Sequence, residues 1–180
     1  MSLENIKSQK KLTNWLQKAG IFHILHKLTI EAKKPRPLAK NEIQRVLRAL
    51  DDLVPLAEKK KIPLAIENHW GISTLPENIL FFLNHYSSDY LGVCLDLGNF
   101  SQQQNRYSES EKLLPFAKEI HAKSYSFAGD GEEVNLNYKR FVKLIREADF
   151  SGPIVVEYEG RGNQLQHSLM TRDLILKYWS

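Results

Sequence analysis

The sequence predicts an α/β fold, a partial (β/α) barrel of about five parallel strands with flanking helices. Three observations predict it. Short apolar runs alternate with segments of helical periodicity. Each of four successive runs ends in a residue capable of acid–base or metal chemistry, at Glu67, Asp96, His121 and Glu157. The strand-then-helix unit therefore recurs without any strict internal sequence repeat. Chemistry at the C-terminal end of every strand is the barrel pattern, because barrel sites are assembled from those ends. An open doubly wound sheet concentrates its chemistry at one switch point and usually carries a Gly-rich phosphate turn, which this sequence lacks. Five strands do not close an eight-stranded barrel.

The elements follow in order. Residues 4–19 carry Leu12, Trp15, Leu16 and Ala19 at helical spacing, with Gly20 as the stop. Residues 21–28 form a β-compatible run, and the charged, Pro-containing loop around Pro35 and Pro37 is too short to separate domains. Ile43, Val46, Leu47, Leu50, Leu53, Val54 and Ala57 give a helix over 40–60, with Glu42, Arg45, Arg48, Asp51 and Lys59 on its exposed face. The strand Ile62 to Glu67 leads to Thr74 and Glu77, spaced as a capping box for a helix buried through Ile79, Leu80 and Leu83. The strand ending at Asp96 is followed by a polar loop and a helix from about Ser110 to Lys118 that tolerates or bends at Pro115. The strand around His121 exits through Gly129-Asp130-Gly131, a loop suited to lie over a pocket. Tyr138, Phe141, Val142, Ile145 and Ala148 mark the next helix, and a last helix from about Gln164 to Tyr178 follows the Glu157 strand.

Composition bounds what such a chain does. With 180 residues, 42% hydrophobic and 26% charged, it reads as one domain, 1–180, with a sizeable core. No apolar run approaches the roughly 20 residues needed to span a bilayer, and the N-terminus lacks the apolar region of a signal peptide, so a cytoplasmic location is expected. The lone Cys94 lies inside an apolar strand and reads as a buried structural thiol. Through Lys61 there are 14 Lys and Arg against 6 Asp and Glu, whereas the remainder is net acidic. The basic lysines are interleaved with apolar positions, as on a solvated helix face, and the acidic back is what a cation site requires.

Ile66-Glu67-Asn68-His69-Trp70-Gly71, Cys94-Leu95-Asp96-Leu97-Gly98-Asn99, Ile120-His121-Ala122-Lys123 and Val156-Glu157-Tyr158-Glu159-Gly160 resemble, in order, the successive motifs of the xylose isomerase-like TIM barrels. That group holds sugar phosphate isomerases and epimerases together with type-2 apurinic endonucleases. The resemblance runs from about residue 12 to the end. It implies that Glu67, Asp96, His121 and Glu157 bind one divalent ion, commonly Mn, Mg or Co, and oxygen and nitrogen ligation without thiolate makes Zn the less expected metal. It also implies that Glu67 and Glu157 double as the catalytic acid/base pair. Moving a proton beside a sugar carbonyl needs a Lewis acid and a carboxylate within reach of the carbon-bound proton. Strand alternation places His69 beside Glu67 and Lys123 beside His121, and with Asn99 these are the candidate substrate-binding residues.

The departures from the family pattern matter as much. Its barrels have eight strands, and the first three strand–helix units have no counterpart here. Two sheet edges are then left open, so self-association or a complementary N-terminal half is the expected partner, with a small-molecule sugar or sugar phosphate as ligand. The endonuclease branch carries a histidine three positions after the aspartate and an Asp-x-His after the histidine strand. Position 99 is asparagine, and Glu133-Val134-Asn135-Leu136 supplies no such pair, so nucleic acid is not expected. Two functions remain: a metal-dependent sugar isomerase or epimerase, or a truncated, inactive relative that serves as a metal-stabilised binding module.

Overall fold

The computed structural model describes residues 36–69, 71–100 and 105–180. The expected helix over 4–19 and strand over 21–28 lie outside the described residues. The first described helix, α1, spans Lys40–Lys60 and presents Val46, Leu50, Val54 and Ala57 to the core. Glu42, expected on its exposed face, is buried instead. Its carboxylate receives both arms of the Arg36 guanidinium, at 2.6 and 2.7 Å, and the backbone N–H of Ala39 at 2.9 Å. An open backbone donor at the helix start and an arginine fork outweigh the solvent-facing register. Lys61, in the left-handed region at φ 54°, ends the helix.

Strand β1 (Leu64–Glu67) leads through a 3-10 turn (Gly71–Thr74) into α2 (Pro76–Tyr86). The expected Thr74 capping box does not form. The Thr74 hydroxyl donates to the His69 carbonyl, and Leu75 takes the N-cap position with Pro76 as the first helical residue. After β2 (Leu91–Asp96), α3 runs Arg106–Leu113, starting earlier than the expected Ser110. It yields at Pro115 to a 3-10 turn (Leu114–Phe116), since proline supplies no helical N–H, and residues 117 and 118 belong to the next strand. Strand β3 (Ala117–Ser124), α4 (Tyr138–Glu147), β4 (Ile154–Tyr158) and α5 (Gln164–Trp179) complete the order. The last two helices are capped by Asn137 and Asn163, which accept N–H bonds from Arg140 and Gln166.

The four strands form one parallel sheet in the order β1-β2-β3-β4, open rather than closed among the described residues. Alternation along each strand sorts the side chains. Leu64, Ile66, Leu91, Val93, Leu95, Ile120 and Ala122 join the core with residues of α1, α2, α4 and α5. Full burial of a side chain such as Leu50, Leu95 or Phe141 is worth about 1.5–3 kcal/mol. The opposite face carries Glu67, Cys94, Asp96, Glu119, His121, Lys123, Val155 and Glu157. Cys94 is free and buried there, as its apolar strand predicts. Register then sets the heights. Glu67 lies opposite Cys94, Asp96 opposite His121, and Lys123 opposite Glu157, so the chemistry climbs along the sheet in even steps that never change face. Among the described residues no helix is long and apolar enough to cross a membrane.

Candidate metal centre

The four strand-borne residues meet. Glu67, Asp96, His121 and Glu157 each offer one ligand atom, all within 4.8 Å of one another. His121 Nδ1 lies 3.0 Å from Glu157 Oε2, 3.6 Å from Glu67 Oε1 and 3.8 Å from Asp96 Oδ2. Local structure fixes how each group points. The Asp96 Oδ1 atom accepts the backbone N–H groups of Gly98 at 2.7 Å and Asn99 at 3.1 Å, which aims Oδ2 into the cluster. Asn68, fully buried, clamps the ends of β1 and β2 together: its Nδ2 donates to the Asp96 carbonyl and its Oδ1 accepts the Asp96 N–H. On the far side of the His121 ring, Nε2 lies 3.5 Å from Glu119 Oε1.

The electrostatics are those of anions crowded around too little positive charge. Burial pushes the Asp96 carboxyl up to about 7, against the pull of the Lys123 charge. Glu157 is held down at about 2, first by the close approach of the His121 imidazole, with burial opposing and Lys123 assisting. Burial would raise Glu67, but the nearby His121 imidazole and the His69 charge leave it below the usual carboxylate range. Burial likewise disfavours a charged His121, yet contacts with Cys94, Glu119, Glu157 and Glu67 hold its pKa far above the ordinary imidazole value. The buried oxygens Asp96 Oδ2 and Glu157 Oε2 accept no well-formed hydrogen bond. Three carboxylates and one imidazole facing a common centre, with two buried oxygens of poor hydrogen-bond geometry, fit a divalent cation.

Of the candidate substrate residues, Asn99 places Nδ2 3.5 Å from Glu67 Oε1, and His69 is half-buried beside the same acid. Lys123 is fully buried, its ammonium near Asp96 Oδ2, Glu157 Oε1 and Glu159 Oε1. Glu119 and Glu159 belong to the cluster and were not singled out from sequence. The signal was available, since each stands two positions from a ligand candidate and therefore on the same face. Glu133, weighed only as a missing endonuclease motif, is buried and gathers the backbone N–H groups of Tyr125, Ser126, Asn135 and Leu136, so it organises the loop after β3.

The family model for xylose isomerase-like TIM barrels matches residues 1–174. Among curated proteins no sequence matches this chain. Among solved structures, a D-tagatose 3-epimerase-like protein superposes with a TM-score of 0.61 at 21% identity, over 79% of this chain and 58% of that one. A xylose isomerase-like TIM barrel protein from Mycobacterium smegmatis in complex with magnesium gives 0.68 at 16% identity, over 99% and 70%. The IOLI protein with a binding zinc atom gives 0.66 at 18%, over 97% and 70%. At these identities the likeness shows the fold. The chain spans less than two thirds of the length of the epimerase-like protein.

Proposed function

Because this chain belongs to the xylose isomerase-like TIM barrel family, we propose that it is a divalent-metal-dependent isomerase or epimerase of a sugar or sugar phosphate, moving a proton next to the carbonyl. The observation that carries the reading is the convergence of Glu67, Asp96, His121 and Glu157 within 4.8 Å on four adjacent strands. These four residues hold the ion, for which Mn, Mg or Co suits an oxygen-rich donor set. The bound ion supplies a Lewis acid for the oxygens of the reacting carbons.

The chain's own residues do the rest. Glu67 and Glu157 stand on the outer strands of the cluster, both ionised at neutral pH, the form in which a carboxylate takes up a carbon-bound proton. One removes the proton; the other, also ionised at the start, first takes up a proton from solvent and then delivers it to the opposite side of the carbon for an epimerisation. Asp96 and His121 serve as ligands only. His69 and Asn99, beside Glu67, face the substrate in this reading, and Lys123 serves the carboxylates.

The test incubates the Mn-, Mg- or Co-loaded chain with a panel of ketoses and ketose phosphates in deuterium oxide. Deuterium is expected at the carbon beside the carbonyl of at least one substrate. Stoichiometric ion binding with no exchange on any of them overturns the enzyme reading and leaves the metal-stabilised binding module.

A further inference from the structure

Lys123 has no exposed surface, yet it carries a charge in the middle of the sheet's polar face. Its Nζ lies 2.8 Å from Glu159 Oε1, 3.0 Å from Glu157 Oε1 and 3.2 Å from Asp96 Oδ2. An isolated buried ammonium costs several kcal/mol, so a lysine in this position depends on the anions around it. Here three carboxylate oxygens stand within 3.2 Å of the ammonium and supply that compensation. Two of its three partners, Asp96 and Glu157, are also members of the four-residue ion cluster.

The side chain has no slack to turn elsewhere. The Gly98 backbone passes so close that a Cβ there would stand 2.5 Å from Lys123 Cγ. The Lys123 carbonyl accepts the Tyr138 hydroxyl at 2.7 Å, and the next residue, Ser124, is tied to Thr171 of α5 at 2.5 Å. The ammonium is held where the carboxylates of β2 and of the β4 exit converge, beside the point on which the His121 side of the cluster converges.

We propose that Lys123 is a built-in cation that keeps the centre mononuclear: its ammonium fills the place into which Asp96, Glu157 and Glu159 would otherwise draw a second divalent ion, and it positions Asp96 and Glu157 for the first. The inference rests on the reading of Glu67, Asp96, His121 and Glu157 as a one-ion site. Charge supports it. Glu67, Asp96, Glu119, Glu157 and Glu159 bring up to five negative charges, more than one divalent ion balances alone, so an ammonium beside it is needed. Without the ammonium, the three carboxylates that surround it are a hard oxygen donor set suited to another divalent ion. Lys123 is a positioning residue in this arrangement, since it acts on the ligands.

The experiment loads wild type, Lys123→Ala and Lys123→Arg with Mn²⁺, removes free metal, and counts bound ions by elemental analysis alongside electron paramagnetic resonance. Wild type and Lys123→Arg are expected to hold about one ion per chain with the signal of an isolated Mn²⁺. Lys123→Ala is expected to hold about two, with the signal of a coupled pair, and Glu159→Gln added to it should return the count to about one. If Lys123→Ala is unfolded when ion-free, millimolar Mn²⁺ should restore its circular dichroism, because a cation is what it lacks; no restoration overturns the inference. A Lys123→Ala protein with one isolated ion also overturns it while leaving the one-ion site standing. A wild-type chain that binds no ion overturns the underlying site, and this inference with it.

Discussion

Asp96 divides its two oxygens between two tasks, and that division makes its role testable. Oδ1 is spent on the N–H groups of Gly98 and Asn99, and Oδ2 faces the cluster. An asparagine at 96 keeps the first task and loses the second, because an amide NH₂ in place of Oδ2 repels a cation. Asn99 touches the cluster through one amide contact at 3.5 Å. Asp96→Asn is therefore expected to weaken Mn²⁺ binding by about 100-fold or more, against a few-fold at most for Asn99→Ala, read by calorimetric titration. Equal metal content in the two purified variants would overturn the ligand assignment. Glu42 offers a second residue-scale test. Its carboxyl is held down at about 2, first by the Arg36 hydrogen bonds and then by the Ala39 N–H. A depressed value stabilises the fold fully above the ordinary value of 4.5 and loses that contribution as pH falls toward about 2. Arg36 is half exposed, so solvent screening keeps the contribution of the pair modest. Urea midpoints should put Glu42→Gln below wild type at pH 7, with the gap closing between pH 5 and about 2. A gap constant over that range would show that the carboxylate charge is not what Glu42 contributes. The convergence of Glu67, Asp96, His121 and Glu157 was legible because strand alternation and strand ends show in one dimension. The encirclement of Lys123 was not, because it depends on the register of three strands, and the burial of Glu42 was not, because its partner lies in a loop.

Element by element, periodicity located the described strands and helices, and boundaries failed where a single tertiary bond or a proline decided them. The Thr74 hydroxyl turned back to the His69 carbonyl in place of capping α2, and Pro115 cut α3 short and released Ala117 into β3. The exit of β4 shows how tightly such junctions are set. The Glu159 N–H donates to the Ser124 carbonyl at 2.9 Å, and a Cβ on Gly160 would stand 1.8 Å from the Tyr125 backbone oxygen. Backbone against backbone has no flexible end to yield, so Gly160→Ala must separate the exits of β3 and β4. A loss of about 2–3 kcal/mol is expected in chemical denaturation. The control is Gly129→Ala, where an added Cβ meets nothing within 4 Å and the change should stay within about 0.5 kcal/mol. Equal losses at the two glycines would mean that the close approach of the two exits carries no energy. Because Glu157 and Glu159 flank that junction, Gly160→Ala should also weaken Mn²⁺ binding, which Gly129→Ala should leave intact.

At the scale of the molecule, the sheet ends in an edge with nothing beside it among the described residues. Strand β4 pairs only with β3. On its site face Val155 is 41% exposed, whereas Cys94, on the same face of β2, is fully buried. Next to that edge, α5 turns Thr171 and Leu174 inward and leaves Leu165, Leu169, Leu176 and Trp179 exposed at helical spacing, a single stripe along the outer side. Among the described residues, an open parallel edge and an apolar helix face lie side by side, the kind of surface a partner covers. A second copy of this chain is the partner to test: two-fold pairing of β4 with its equivalent would bury the edge and the stripe in one isologous contact. Strand counting predicted an unclosed barrel, and the sheet of the described residues is open. Which surface that leaves bare is a matter of helix rotation against the sheet, fixed by Leu174 in the core and the Ser124–Thr171 bond. Light scattering across a micromolar dilution series should give the mass of a dimer, and Leu169→Lys with Leu176→Lys should give a folded monomer. A wild-type chain that stays monomeric throughout overturns pairing with itself. A complementary segment of strand–helix units that raises the mass by its own length and protects Val155 from hydrogen exchange would identify the edge's occupant in its place.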